Sequence, residues 1–161
     1  MKTKSPTHLL LRFSDSILKD KDTITEHNQV IQRSGAVWFG KMGAPVAQHQ
    51  VDVMMQQIED GIPAYVFLVK GNRRKSTAYR GKILSLSRIK PENQDMHIPQ
   101  YYFDLDLIKY MRFWVKLTEI ISIDLAELNK LHVASSVLPL PETLVKSSTG
   151  HFILKEDDLS F

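Results

Sequence analysis

The 161-residue chain has no cysteine. That absence removes disulfide frameworks, zinc–cysteine sites, iron–sulfur clusters and thiol nucleophiles together, and it suits a reducing compartment, so a cytoplasmic location is expected. Long hydrophobic runs are also missing. The longest, such as Tyr65 to Val69, is far too short for a bilayer, and Met1-Lys-Thr-Lys-Ser-Pro6 has no apolar stretch of the signal-peptide kind, so no membrane partner is expected. Catalytic signatures are absent too. There is no Walker loop or Gly-x-Ser-x-Gly elbow, and Gly40-Lys-Met-Gly43 lacks the glycine spacing of dinucleotide and P-loop motifs. The six histidines (His8, His27, His49, His97, His132, His151) form no His-x-x-x-His pair, so neither a catalytic metal nor any other cofactor is expected. A nuclease or hydrolase would have to use Asp104, Asp106 or Glu119, and Asp104 and Asp106 at i, i+2 equally suit the exposed face of one strand.

What the chain does have is enough apolar material for one core: 43% of residues are hydrophobic and 24% charged, which predicts one domain over 1–161 with a frayed acidic tail from about residue 155. The net charge of +3 leans towards polyanions but is too small for a general nucleic-acid coat. Any such affinity must therefore be local. Lys70, Arg73, Arg74, Lys75, Arg80 and Lys82 crowd one stretch, which is either a solvated turn or a phosphate clamp.

The hydrophobic pattern predicts a strand over His8–Phe13, then a helix from a Thr23-Ile-Thr-Glu26 capping box to about Arg33, ended by Ser34-Gly35. Ala36 to Phe39 reads as a short apolar extension into a loop, Gly40 to Pro45, whose glycines permit close approach or positive φ. Val51, Met54, Met55 and Ile58 mark a second helix closed by Gly61 and Pro63. Ala64 to Lys70 suits a central strand, followed by a hairpin at Gly71-Asn72 and a strand over Thr77–Ser87 in which Gly81 marks a bulge or close approach. After a loop at Pro91–Pro99, strands are expected near Tyr101–Leu105 and Met111–Leu117. A short helix then starts at Asp124, with Leu125, Leu128 and Leu131 facing in, and a proline-punctuated segment from Val137 to Phe152 ends in a strand. This order predicts an α+β fold, a small curved sheet or β-barrel of five to six strands flanked by short helices.

Two aromatic segments could carry function. In Arg112-Phe-Trp-Val-Lys-Leu117, alternation puts Arg112, Trp114 and Lys116 on one face, a grouping suited either to stacking a base and meeting its phosphates or to an indole packed beneath a helix. Trp38 and Phe39 precede Gly40 and Lys41, which offer space and a charge beside the rings. Of Tyr101 and Tyr102, strand alternation would let only one join them. The predicted base-contacting set is Trp38, Phe39, Gly40, Trp114, Tyr101, Tyr102 and Ser34. The predicted phosphate-contacting set is Lys41, Arg73, Arg74, Lys75, Arg80, Lys82, Arg112 and Lys116.

In sequence, Gly35-Ala-Val-Trp38-Phe-Gly40, Tyr79-Arg-Gly81-Lys-Ile83, Arg112-Phe-Trp114-Val-Lys116-Leu117 and the Ser135–Ser148 segment resemble the EVE and YTH branch of the PUA-like superfamily. The resemblance spans most of the chain. It implies a modified-base reader, with a flipped or single-stranded base such as N6-methyladenine or a modified cytosine held by aromatics. It also implies DNA more than RNA, and a nuclease or NTPase as partner subunit or fused domain of a modification-dependent restriction system. The cage departs from the YTH pattern: where those readers carry a second tryptophan, Pro91 to Tyr102 offers only tyrosines. A PUA-like RNA-binding domain, a nuclease and a protein-interaction domain are the alternatives.

Overall fold

The computed structural model describes residues 6–18, 20–71, 76–92, 95–133 and 151–156. The order is β1 (Thr7–Phe13), α1 (Thr23–Ser34), β2 (Val37–Met42), α2 (Gln48–Glu59), β3 (Tyr65–Gly71), β4 (Ser76–Ser87), α3 (Gln100–Asp104), a 3₁₀ turn (Ile108–Tyr110), β5 (Met111–Ile123), a second 3₁₀ turn (Leu125–Lys130), β6 (Leu131–Val133) and β7 (His151–Glu156). The strands form one mixed sheet in the order β2-β5-β4-β3-β1-β7-β6. Among the described residues only β1 and β3 pair in parallel. Six strands have six residues or more and β6 has three. The α+β expectation holds, but the sheet is open, ending at β2 and β6, so the barrel alternative is set aside.

The leucine run of β1 explains its central place. Leu9 and Leu11 meet Val66, Leu68, Val115 and Leu117 on the face covered by α1 and α2, while Leu10 joins Phe67, Val69, Leu128 and Leu154 on the other. A strand buried on both faces needs no polar alternation, as expected of one next to a parallel neighbour. The loop before α1 is tied down by Lys70, whose ammonium lies 2.8 Å from Asp15 and 3.5 Å from Asp22.

Several sequence expectations change. Helix α1 is capped one residue earlier than the box predicts: the Asp22 carboxylate accepts from the Thr25 amide, and the Thr23 amide goes to Asp15. A carboxylate at the cap is both an acceptor and a favourable charge at the helix start. Gly35, at φ +84°, closes the helix as predicted. Gly40 and Lys41 lie in β2 rather than in a loop; the Met111 thioether packs over Gly40, where a Cβ would sit 2.1 Å from its sulfur and make that side chain move. Tyr101 to Leu105 is not a strand: Pro99 leads into α3, and the Tyr102 amide bonds the Pro99 carbonyl. Consecutive residues on a helix do not oppose each other as on a strand, so Tyr101 and Tyr102 are both buried. Leu125 is exposed, whereas Leu128 and Leu131 are buried as expected. Gly81 is a close approach, its Cβ position 3.0 Å from Val66, with register shifts beside it at Ile83. The hairpin tip beyond Gly71 and most of Val137–Phe152 lie outside the described residues.

Candidate functional site

Strand β2 lies at the sheet edge, and its outward amides would be open to pairing with another chain. The segment after Asp95 closes that edge. The Trp38 amide donates to the His97 carbonyl (2.8 Å), and the Gly40 amide donates to the Tyr102 hydroxyl (2.9 Å). Tyr102 then reaches His27 Nε2 at 2.8 Å, while His27 Nδ1 lies 2.7 Å from the Thr23 carbonyl. The carbonyl can only accept, so Nδ1 carries the proton and Nε2 receives the Tyr102 O–H. His27 is fully enclosed, and burial lowers its pKa from 6.5 to about 4, against the opposing hydrogen bond to Thr23. Burial likewise pushes the Tyr101 and Tyr102 phenols upward.

Because strand residues alternate, Trp38 and Phe39 part company. Phe39 is buried among the α1-facing core residues and lies 4.8 Å from the His27 ring. Trp38 is half-buried on the opposite face beside its strand partner Lys116, whose ammonium sits 5.4 Å from the indole centroid. Its ring meets that of Trp114 edge-on, at 6.4 Å and 89°. Trp114 has 0% exposure, enclosed by Ile98, Tyr101, Tyr102 and Leu107. The indoles thus share one cluster but form no parallel slot between them. Trp114, Phe39 and Tyr102 support the site rather than facing a ligand, which corrects their placement among base contacts: an enclosed ring offers no face to stack on.

Two hollows flank this edge. The smaller, about 210 Å³, is lined by residues that include Phe39, Gly40, Lys41, Tyr101 and Tyr102. Lys41 is turned inward there, donating to the Arg12 carbonyl at 2.9 Å, with burial lowering its pKa, so it is not presented to a phosphate. The larger, about 430 Å³, is lined by Arg33, Ser34, Asp95, Met96, Ile98, Gln100 and Phe103. Only the larger reaches the roughly 300–1,000 Å³ usual for small-ligand sites.

Asp95 connects the larger hollow to Trp38. One carboxylate oxygen receives the indole N–H (3.3 Å), and the other receives the His97 amide (2.8 Å) and lies 3.1 Å from His97 Nδ1. Burial works against the charge on Asp95, but these donors, with the nearby His97 and Lys116, hold its carboxyl below the usual carboxylate range. The Ser34 hydroxyl oxygen is buried and has no hydrogen-bond partner among the described residues. The hollow therefore offers one charged acceptor and apolar walls, while the Ser34 oxygen itself is closed to solvent.

Of the remaining predicted residues, Arg80 and Lys82 project from β4 and Arg112 from the start of β5, away from either hollow's lining; Arg73, Arg74 and Lys75 lie outside the described residues. Asp104 accepts from Gln100, Asp106 pairs with Lys109 at 2.7 Å, and Glu119 stands opposite Lys82 on β5. Among the described residues no three of His, Cys, Asp and Glu converge as a metal site would require. No helix is long and apolar enough to cross a membrane, again among the described residues.

A protein-family model described as Pua-like matches residues 9–160. The chain belongs to the Pua-like family. Membership points to nucleic-acid binding in general, and domains of this family are generally non-catalytic binding modules. No match was found among curated proteins or solved structures. For a Pua-like chain, Asp95 is the residue sequence reasoning passed over, since one acidic residue in a proline-bounded loop carries no spacing signal. His27 did leave one: it lies in the apolar stripe of α1 between Ile24 and Val30, where an unpartnered imidazole would be costly.

Proposed function

We propose that this Pua-like protein binds a single base of a nucleic acid in the larger hollow and performs no chemistry on it. The observation that carries the reading is the Trp38–Asp95 hydrogen bond, because it joins a half-exposed indole to the charged wall of the larger of the two hollows beside β2, which is of ligand size. In this reading Asp95 meets the base edge, Met96, Ile98 and Phe103 enclose its apolar part, and Arg33 and Lys116 face phosphates. A base–aromatic stack contributes about 1–3 kcal/mol, and extruding a base from a duplex costs a few kcal/mol, so unpaired or easily unpaired targets bind best.

The resemblance to EVE and YTH readers supports DNA carrying a modified base, N6-methyladenine or a modified cytosine, and a role as specificity module for a nuclease or NTPase in a partner or fused domain. One methyl group in an apolar pocket provides discrimination of about 10–200-fold. The test is titration of labelled single-stranded oligonucleotides, modified and plain, DNA and RNA, by fluorescence anisotropy. Trp38→Ala that stays folded is expected to lose binding to the modified DNA. Retained binding by the folded variant contradicts the reading, and tighter binding of matched RNA replaces DNA as the target.

A further inference from the structure

Two aromatic–cation pairs occupy the same sheet face, the one turned away from α1 and α2. At one end Lys116 lies 5.4 Å from the Trp38 ring centroid; at the other the Arg80 guanidinium lies 4.7 Å from that of Tyr65. Strand register connects them. Trp38 opposes Lys116, Lys116 opposes Ser85, and Lys82 opposes Tyr65, with Arg80 two residues along from Lys82. The face is fixed independently, because Gly81, Ile83, Ile120 and Leu117 point to the helix-covered core, leaving Arg80, Lys82 and Lys116 on the other side. The register shifts around Ile83 insert one residue, which keeps Ser85 on the face of Lys82 despite the odd spacing. Lys82 is exposed and Tyr65 half-exposed. Among the described residues none of Arg80, Lys82 and Lys116 forms an ion pair with a carboxylate, although Glu119 stands opposite Lys82.

We infer that this face is a track for a single nucleic-acid strand, running from the Trp38 ring across β5 and β4 to a second stacking platform at Tyr65. It rests on the proposed binding of nucleic acid and adds the strand's path. Cations alone would suit any polyanion. Alternation with two partly exposed rings suits one whose units carry both a phosphate and a π-face. With strands about 4.8 Å apart and residues about 3.3 Å apart, the platforms are separated by about 15–20 Å, or about four to six nucleotides at a stacked spacing of about 3.4 Å.

The experiment measures anisotropy of labelled single-stranded DNA, with and without one N6-methyladenine, over a salt series, for wild type and Arg80→Gln/Lys82→Gln. Glutamine keeps most of each stem and removes the charge, and a thermal melt confirms folding. The track predicts that modified and plain strands weaken by the same factor, and that the log K against log salt slope becomes shallower by about 1–2. It also predicts that affinity stops rising beyond about six nucleotides. An unchanged slope overturns the track, as does displacement by poly-glutamate of equal charge as effective as by DNA, which would assign the face to an acidic protein. The base-reading proposal fails separately: Trp38→Ala would then leave modified-strand binding intact while the glutamine pair still alters the slope.

Discussion

The two hollows beside β2 differ in a way that separates aromatic content from access. The smaller is richer in rings, with Phe13, Phe39, Tyr101 and Tyr102 in its lining, yet its polar groups are largely bonded within the fold. The larger has one aromatic in its lining, Phe103, but its walls stay open, with Met96 and Phe103 exposed and the Asp95 carboxylate charged although it accepts from Trp38 and His97. Rings packed together and supplied with hydrogen-bond partners stabilise an edge strand. A ligand needs surface that the fold has left open.

That division predicts different consequences for mutations on the two sides. The largest effect is expected for Trp114→Ala, which empties a fully enclosed site and should cost about 3–5 kcal/mol in denaturant unfolding; a loss under about 1 kcal/mol would mean the indole is not core. Next comes acid. His27 titrates at about 4 in the fold against 6.5 in the free chain, so the unfolded chain takes up its proton first. The stabilisation is complete above about 6.5 and is lost as pH falls towards 4, about 3 kcal/mol in all. Unfolding midpoints across that window should fall steeply in wild type and less in His27→Gln. Tyr102→Phe leaves the Gly40 amide and His27 Nε2 without their partner and should cost about 1–3 kcal/mol, with the modified-to-plain binding ratio unchanged.

The smallest stability effect is expected at the loop clamp. Burial opposes the charge on Asp15, yet hydrogen bonds from Lys70 and Thr23 and the Lys70 charge bring its carboxyl to about 2. Its contribution is present above about 3.8 and is lost as pH falls towards 2. Asp15→Asn should destabilise by about 1–2 kcal/mol at neutral pH after allowance for solvent screening, measured by thermal melting.

Much of the fold was legible because its signals are local. The leucines of β1, the glycine ending α1 and the apolar periodicity of α2 each act through neighbours in sequence. The tyrosine pair was misread as a strand because a five-residue apolar run fits either element, and Pro99 with the need to close the β2 edge decided for a helix. Of the site, Trp38, Ser34 and Lys116 could be picked out from composition and alternation. The burial of Trp114 could not, since it depends on α3 folding over the sheet, and neither could the pairing of Asp95 with an indole 57 positions away.

If the Trp38–Asp95 wall reads a base, the ratio of affinities for methylated and plain single-stranded DNA is its most direct measure. Wild type should favour the methylated strand by about 10–200-fold, and Asp95→Asn, folded by its melting curve, should bring the ratio close to one. A wild-type ratio near one, or a folded Asp95→Asn protein that keeps the wild-type ratio, would contradict it.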